Sequence, residues 1–208
     1  MKAHTKETQA TMTPNKALDF LKEGNQRFQN NLKANRNLLE QVNDTSEGQF
    51  PFATILSCID SRVSAELVFD QGLGDIFSIR IAGNFSNEDI LGSMEFGCKL
   101  AGTKLVVVLG HTSCGAIKGA CDHARLGNLT ALINKIEPAV DAVTEPKDES
   151  QRNSKNLEFV DKVAEKNVLL TINNIRQHSP VLAEMEDNGE IKIVGAMYDI
   201  STGEVVFY

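Results

Sequence analysis

The stretch "KLVVVLGH", Lys104 to His111, constrains the fold most, because it runs through five apolar residues with no polar alternation before ending in glycine and histidine. A strand with one wet face alternates apolar and polar residues, so an unbroken run belongs in the middle of a sheet covered on both faces. Two shorter runs rich in β-branched residues, "FATILS" and "IFSIRIA", precede it, and the helical patterns "SAELVFDQ" and "NEDILGSMEFGCKLAG" separate the three. That alternation predicts a parallel sheet with crossover helices.

Three further segments have helical patterns: "CGAIKGACDHARLG", "LTALINKIEPAVDAV" and "SKNLEFVDKVAEKNVLLTINNIRQHS", with the charged loop "TEPKDESQRN" between the last two. The end, "EIKIVGAMYDISTGEVVFY", reads as two strands joined by a turn at Ser201-Thr202-Gly203. At the start, Thr13-Pro14 has the form of an N-cap followed by proline at the first helical position, and Ala17, Leu18, Leu21 and Phe28 follow at helical spacing. The next segment, "QNNLKANRNLLEQVNDTSEGQ", is polar and without a period, which predicts an extended connection. The expected fold is therefore α/β: a central, mostly parallel sheet flanked by helices, with a C-terminal antiparallel edge strand and an N-terminal helical arm. Residues 1–48 form the arm and 49–208 the core of one domain, since 208 residues with 41% apolar content suffice for a single sizeable core.

The net charge of −7 and the scatter of the basic residues argue against nucleic-acid and anionic-membrane partners. No apolar run approaches the ~20 residues that span a bilayer, and "MKAHTKETQATMTP" lacks the apolar core of a secretory signal. The chain reads as cytoplasmic; a mature secreted or periplasmic chain with its signal removed would read the same.

Cys58, Cys98, Cys114 and Cys121 are too few for a disulfide scaffold in a chain this long, and a reducing compartment favours metal or catalytic uses. Cys58 falls at the end of the first predicted strand, in "SCIDSRV", while His111 and Cys114 follow the third, in "GHTSCGAIKGA". The carboxyl ends of neighbouring strands are where sites assemble in open α/β sheets. Two thiolates and one imidazole are a zinc set, and three protein ligands leave a position for water or substrate. Asp60 could fill that position and close the site, or accept a hydrogen bond and leave it open. A bidentate pair with Arg62 would hold it off the metal. In extended chain, period two puts Cys58, Asp60 and Arg62 on one side. Cys98 and Cys121 have no second ligand at metal spacing and are expected to pack in the core.

The combination of "CIDSRV", "IRIAGN" and "GHTSCGAIKG" resembles the β-class carbonic anhydrases, zinc enzymes that interconvert carbon dioxide and bicarbonate. The likeness runs from Gln49 to Tyr208. It implies zinc bound by Cys58, His111 and Cys114, with Asp60 and Arg62 as the catalytic dyad. It further implies a substrate site in which Gln49 hydrogen-bonds bicarbonate, Phe77 and Phe96 wall an apolar carbon dioxide pocket, and Gly115 offers a backbone N–H. Because some of these groups come from a neighbouring subunit in the family, a homodimer or a tetramer of dimers is implied. Members with an allosteric bicarbonate site carry tryptophan three residues before the first zinc cysteine; this chain has Ile55 there and no tryptophan anywhere. Ala82 stands where larger members have valine.

Enzymes that hydrolyse carbonyl sulfide or carbon disulfide share the scaffold and form the alternative reading. A cysteine phosphatase would need arginine six residues after its nucleophile, but position 64 is serine, and the chain has no C-x-x-C pair for a thiol reductase.

Overall fold

The structure, a computed structural model, describes residues 2–208. Three helices precede the first strand: α1 (Lys6–Ala10), α2 (Pro14–Gln29) and α3 (Leu38–Asp44). Thr13 caps α2 as its sequence predicts, its side chain accepting from the Lys16 N–H. Helix α3 lies inside the segment expected to be extended. Asn37 caps it, and its one buried residue is the polar Gln41, whose Oε1 accepts from the Leu73 N–H at 3.1 Å. That helix is only seven residues long, and its Leu38, Leu39 and Val42 are exposed rather than packed, so its short run does not stand out as an apolar period.

The core then alternates β1 (Ala53–Ser57), α4 (Ala65–Val68), β2 (Ile76–Arg80), α5 (Glu88–Glu95), a π-helical turn (Phe96–Leu100) and β3 (Leu105–His111). It continues through α6 (Gly115–Cys121), α7 (Gly127–Ala142), α8 (Leu157–His178) and α9 (Pro180–Asp187) to β4 (Lys192–Tyr198) and β5 (Val205–Phe207). Helix α9 breaks away from the long helical pattern at Ser179-Pro180, the same capping signature as Thr13-Pro14; the Ser179 hydroxyl accepts from the Leu182 N–H at 3.2 Å.

The sheet order is β2-β1-β3-β4-β5, with β1 to β4 parallel and β5 antiparallel to β4. The central strand β3 is buried along its whole length, as "LVVVLGH" requires. Its Leu105, Val107 and Leu109 pack on one face with Ala17 and Leu21 of α2 and Ala65 and Val68 of α4. Val106 and Val108 pack on the other with residues of α5 to α9.

This order has its topological switch between β1 and β3. The chain leaves β1 toward α4 on one face and leaves β3 toward α6 on the other, so a cleft opens at the carboxyl ends of those two strands. Ser57 faces Leu109 across the pair, so Cys58 and His111 leave the sheet within two residues of the same level. No helix among the described residues is long and apolar enough to cross a membrane.

Candidate metal centre

At that cleft the ligand atoms of Cys58, His111 and Cys114 lie within 4.8 Å of one another, and all three residues are buried. It is the one such cluster of histidine, cysteine or acidic ligands among the described residues. The two sulfurs stand 3.9 Å apart. Two thiolates each about 2.3 Å from one tetrahedral zinc ion would stand about 3.8 Å apart.

His111 is fully buried and 3.0 Å from the Thr112 carbonyl through Nδ1. A carbonyl only accepts, so Nδ1 carries the proton and the lone pair is on Nε2, which is buried with no hydrogen-bond partner. An orphaned imidazole nitrogen beside two thiols costs free energy unless something binds it. A backbone carbonyl fixing the tautomer of a histidine is the usual support of a metal ligand. The donor set, its spacing and the orphaned nitrogen fit zinc.

The Cys58 thiol is pushed down to about 4, chiefly because the Cys114 S–H donates to it, against the cost of burial. The Cys114 thiol moves upward because its neighbour already holds the charge and because it is buried. A bound metal draws both sulfurs into the thiolate form. Cys98 and Cys121 are buried elsewhere, and burial pushes each thiol up to about 11, as expected of packing residues.

Asp60 and Arg62 come together, though not by strand alternation. The chain turns at Ser61-Arg62, with the Val63 N–H donating to the Asp60 carbonyl at 3.0 Å, so extended-chain period two does not apply past Asp60. The Arg62 N–H donates to Asp60 Oδ1 at 3.0 Å, and the guanidinium forks onto both oxygens, Nε to Oδ1 at 2.9 Å and Nη2 to Oδ2 at 2.8 Å. These bonds from Arg62 hold the Asp60 carboxyl well below the usual carboxylate range, against the opposing effect of burial.

Arg80 clamps the same segment: its Nε donates to the Cys58 carbonyl at 3.0 Å and its Nη2 to the Asp60 carbonyl at 2.7 Å. Sequence reasoning gave Arg80 no part in the site. The only available signal was its place in "IRIAGN", at the end of the strand that pairs with β1.

Gly115 opens α6 beside Cys114, and a Cβ there would meet nothing within 4 Å, so the space next to the cluster is free. The other residues assigned to the substrate site stand apart from it. Gln49 is exposed ahead of β1. Phe77 sits opposite Thr54, four residues before Cys58, or about 13 Å along the strand. Its ring lies 6.1 Å from that of Phe96, which is 52% exposed, and both line an open groove of about 580 Å³ with Ile79 and Gly92. A single chain thus brings together five of the nine predicted residues, with Gly115 adjoining them.

The family described as "Carbonic anhydrase" matches residues 53–205. "Carbonic anhydrase 2" of Mycobacterium tuberculosis is 34% identical over 199 residues, which span 93% of this chain and 92% of that protein. The carbonic anhydrase of Mycolicibacterium smegmatis is 32% identical, with 92% of each chain covered. Among solved structures, the β-carbonic anhydrase CcaA superposes with a TM-score of 0.72 at 27% identity, covering 92% of this chain and 94% of its own. CafA of Aspergillus fumigatus gives 0.71 at 28% identity, covering 82% and 81%. With the parallel sheet, its switch point and the Cys-His-Cys cluster, these likenesses show that the chain belongs to the β-class carbonic anhydrase family.

Proposed function

We propose that this chain catalyses the reversible hydration of carbon dioxide to bicarbonate and a proton, with zinc held by Cys58, His111 and Cys114. The observation that carries the reading is the buried, unpartnered Nε2 of His111 beside two sulfurs 3.9 Å apart. Zinc held by Cys58, His111 and Cys114 would supply Lewis acidity toward water.

Two thiolates cancel the formal charge of the ion, so that effect is weaker than in a three-imidazole site, and the protein must assist. Asp60 is the group that accepts a hydrogen bond from the attacking water and orients it. Its Oδ2 lies 3.9 Å from His111 Nε2, which places it at the edge of the cluster. Arg62 keeps Asp60 ionised and turned away from the metal position. Arg80 fixes the backbone that carries both Cys58 and Asp60. Gly115 leaves room for the substrate beside Cys114.

The apolar wall formed by Phe77 and Phe96, and the bicarbonate contact through Gln49, enter this reading through a homodimer, or a tetramer of dimers, in which a second copy lends these residues. Phe96 and Leu100 are exposed on the π-helical turn, beside the half-buried Phe77 of the edge strand β2, which supports that arrangement.

The test joins metal analysis to stopped-flow carbon dioxide hydration on the wild type and Asp60→Asn. About one zinc per chain, hydration that rises toward alkaline pH, and a loss of about 100-fold in Asp60→Asn with zinc retained are expected. A metal-free protein would end the reading, and faster turnover of carbonyl sulfide than of carbon dioxide would redirect it to the sulfide hydrolases.

A further inference from the structure

The loop between His111 and Cys114 must turn two ligands onto one centre within four residues, and it does so by placing Ser113 at φ 55°, the left-handed region that a residue with a Cβ seldom adopts. Two hydrogen bonds tie the neighbouring Thr112 to the end of the sheet. The Thr112 N–H donates to the Tyr198 carbonyl at 3.0 Å, and the Thr112 hydroxyl accepts from the Ile200 N–H at 3.1 Å. The Ser113 N–H faces the other way, toward α8, where Asp161 Oδ1 accepts it at 2.8 Å. A carboxylate is a strong acceptor, and this one lies 48 residues away in sequence.

The other half of the centre is tied to the same helix. Gly83, at φ 76°, donates its N–H to Cys58 Sγ at 3.4 Å, and its carbonyl accepts from the buried Asn167 Nδ2 at 2.7 Å. Asp161 and Asn167 are six residues apart on α8, about 9 Å along its axis. Between and beyond them Ala164 and Val168 pack into the core beneath β3 and β4. Both polar residues stand on a helix that its own packing holds still.

We infer that Asp161 and Asn167 are positioning residues of the metal centre: Asp161 sets the turn that brings His111 and Cys114 together, and Asn167 sets the Gly83 amide against the Cys58 sulfur. Neither touches the reacting atoms. The inference rests on the metal reading above and deepens it, because it assigns the geometry of ligands from two separate loops to one helix. Outer partners of this kind usually account for 10- to 100-fold in metal affinity.

The experiment compares zinc affinity by chelator competition, and the absorption spectrum of the cobalt-substituted protein, for the full-length wild type, Asp161→Ala, Asp161→Asn and Asn167→Ala. Asp161→Ala should bind zinc at least tenfold more weakly and alter the cobalt bands. Asp161→Asn keeps an oxygen that can accept from Ser113 and should stay within about threefold of the wild type. Asn167→Ala should shift the thiolate-to-cobalt band through its effect on Cys58. If Asp161→Ala is too unstable to purify, Asp161→Ser, whose hydroxyl is too short to reach Ser113, carries the same expectation. Zinc affinity within twofold of wild type and unchanged cobalt spectra in the Ala variants would overturn the inference, as would equal losses in Asp161→Asn and Asp161→Ala. A wild type that binds no zinc would overturn the metal reading itself.

Discussion

Arg62 holds Asp60 by both carboxylate oxygens, 2.9 Å from Oδ1 and 2.8 Å from Oδ2, while Oδ2 stays 3.9 Å from His111 Nε2. The carboxylate is thus presented at the rim of the metal cluster and restrained from entering it. Arg62→Lys should fail to restore what Arg62→Ala removes, because one ammonium cannot fork onto two oxygens. Each variant should lose hydration activity by about tenfold or more, with zinc content unchanged; stopped-flow rates beside metal analysis measure both.

The same pair fixes the sign of a pH effect on stability. Asp60 is held below its unfolded pKa of about 3.9, so its stabilising contribution is complete above that pH and declines as the pH falls through the lower folded value. Urea melts of wild type and Asp60→Asn should differ by up to about 1 kcal/mol at pH 7 and converge toward pH 2. A difference that grew on acidification would contradict this.

Metal removal should cost stability as well as activity, because three buried ligands from two strand ends are gathered at one point. Zinc at 100 times its Kd adds about 2.7 kcal/mol to the folded state. The melting temperature should therefore fall on chelation and recover with added zinc. Cys58→Ser should show neither change, and zinc should leave the wild type on acidification as the thiolates take up protons.

Away from the centre, Asp70 is buried between the arm and the core. It accepts from Arg27 Nε at 2.5 Å, Arg36 Nη1 at 2.6 Å and the Ala34 N–H at 3.1 Å. Burial opposes its charge, yet these three donors outweigh it and leave the carboxyl below its ordinary range. Asp70→Ala should destabilise the chain by about 3 kcal/mol in denaturant melts, since two guanidinium groups lose a shared carboxylate.

Gly110, the residue before His111, has no room for a side chain: a Cβ would lie 2.6 Å from the Met197 sulfur and 2.7 Å from a Val168 methyl. Gly110→Ala should cost about 1–3 kcal/mol through overpacking between β3 and α8, read from thermal or urea unfolding.

Strand content, the parallel order implied by alternating elements and the five polar residues that meet at the carboxyl ends of β1 and β3 are already written in the amino-acid order. These were legible because burial on both faces leaves apolar runs such as "LVVVL", and because the chemistry of two thiols and an imidazole is confined to "SCIDSR" and "GHTSC". Their supports emerge only on folding. Helix α3 is seven residues long and is held through Gln41 while its apolar residues stay exposed, so its pattern is too short to stand out. Arg62 reaches Asp60 through a turn that the alternation of Cys58, Asp60 and Arg62 does not reveal. Asp161 and Asn167 act across dozens of residues through single hydrogen bonds, which leave no local pattern. Hydrophobic burial acts on whole segments and so leaves a period in the sequence, whereas a positioning hydrogen bond depends on two atoms that only the fold brings within 3 Å.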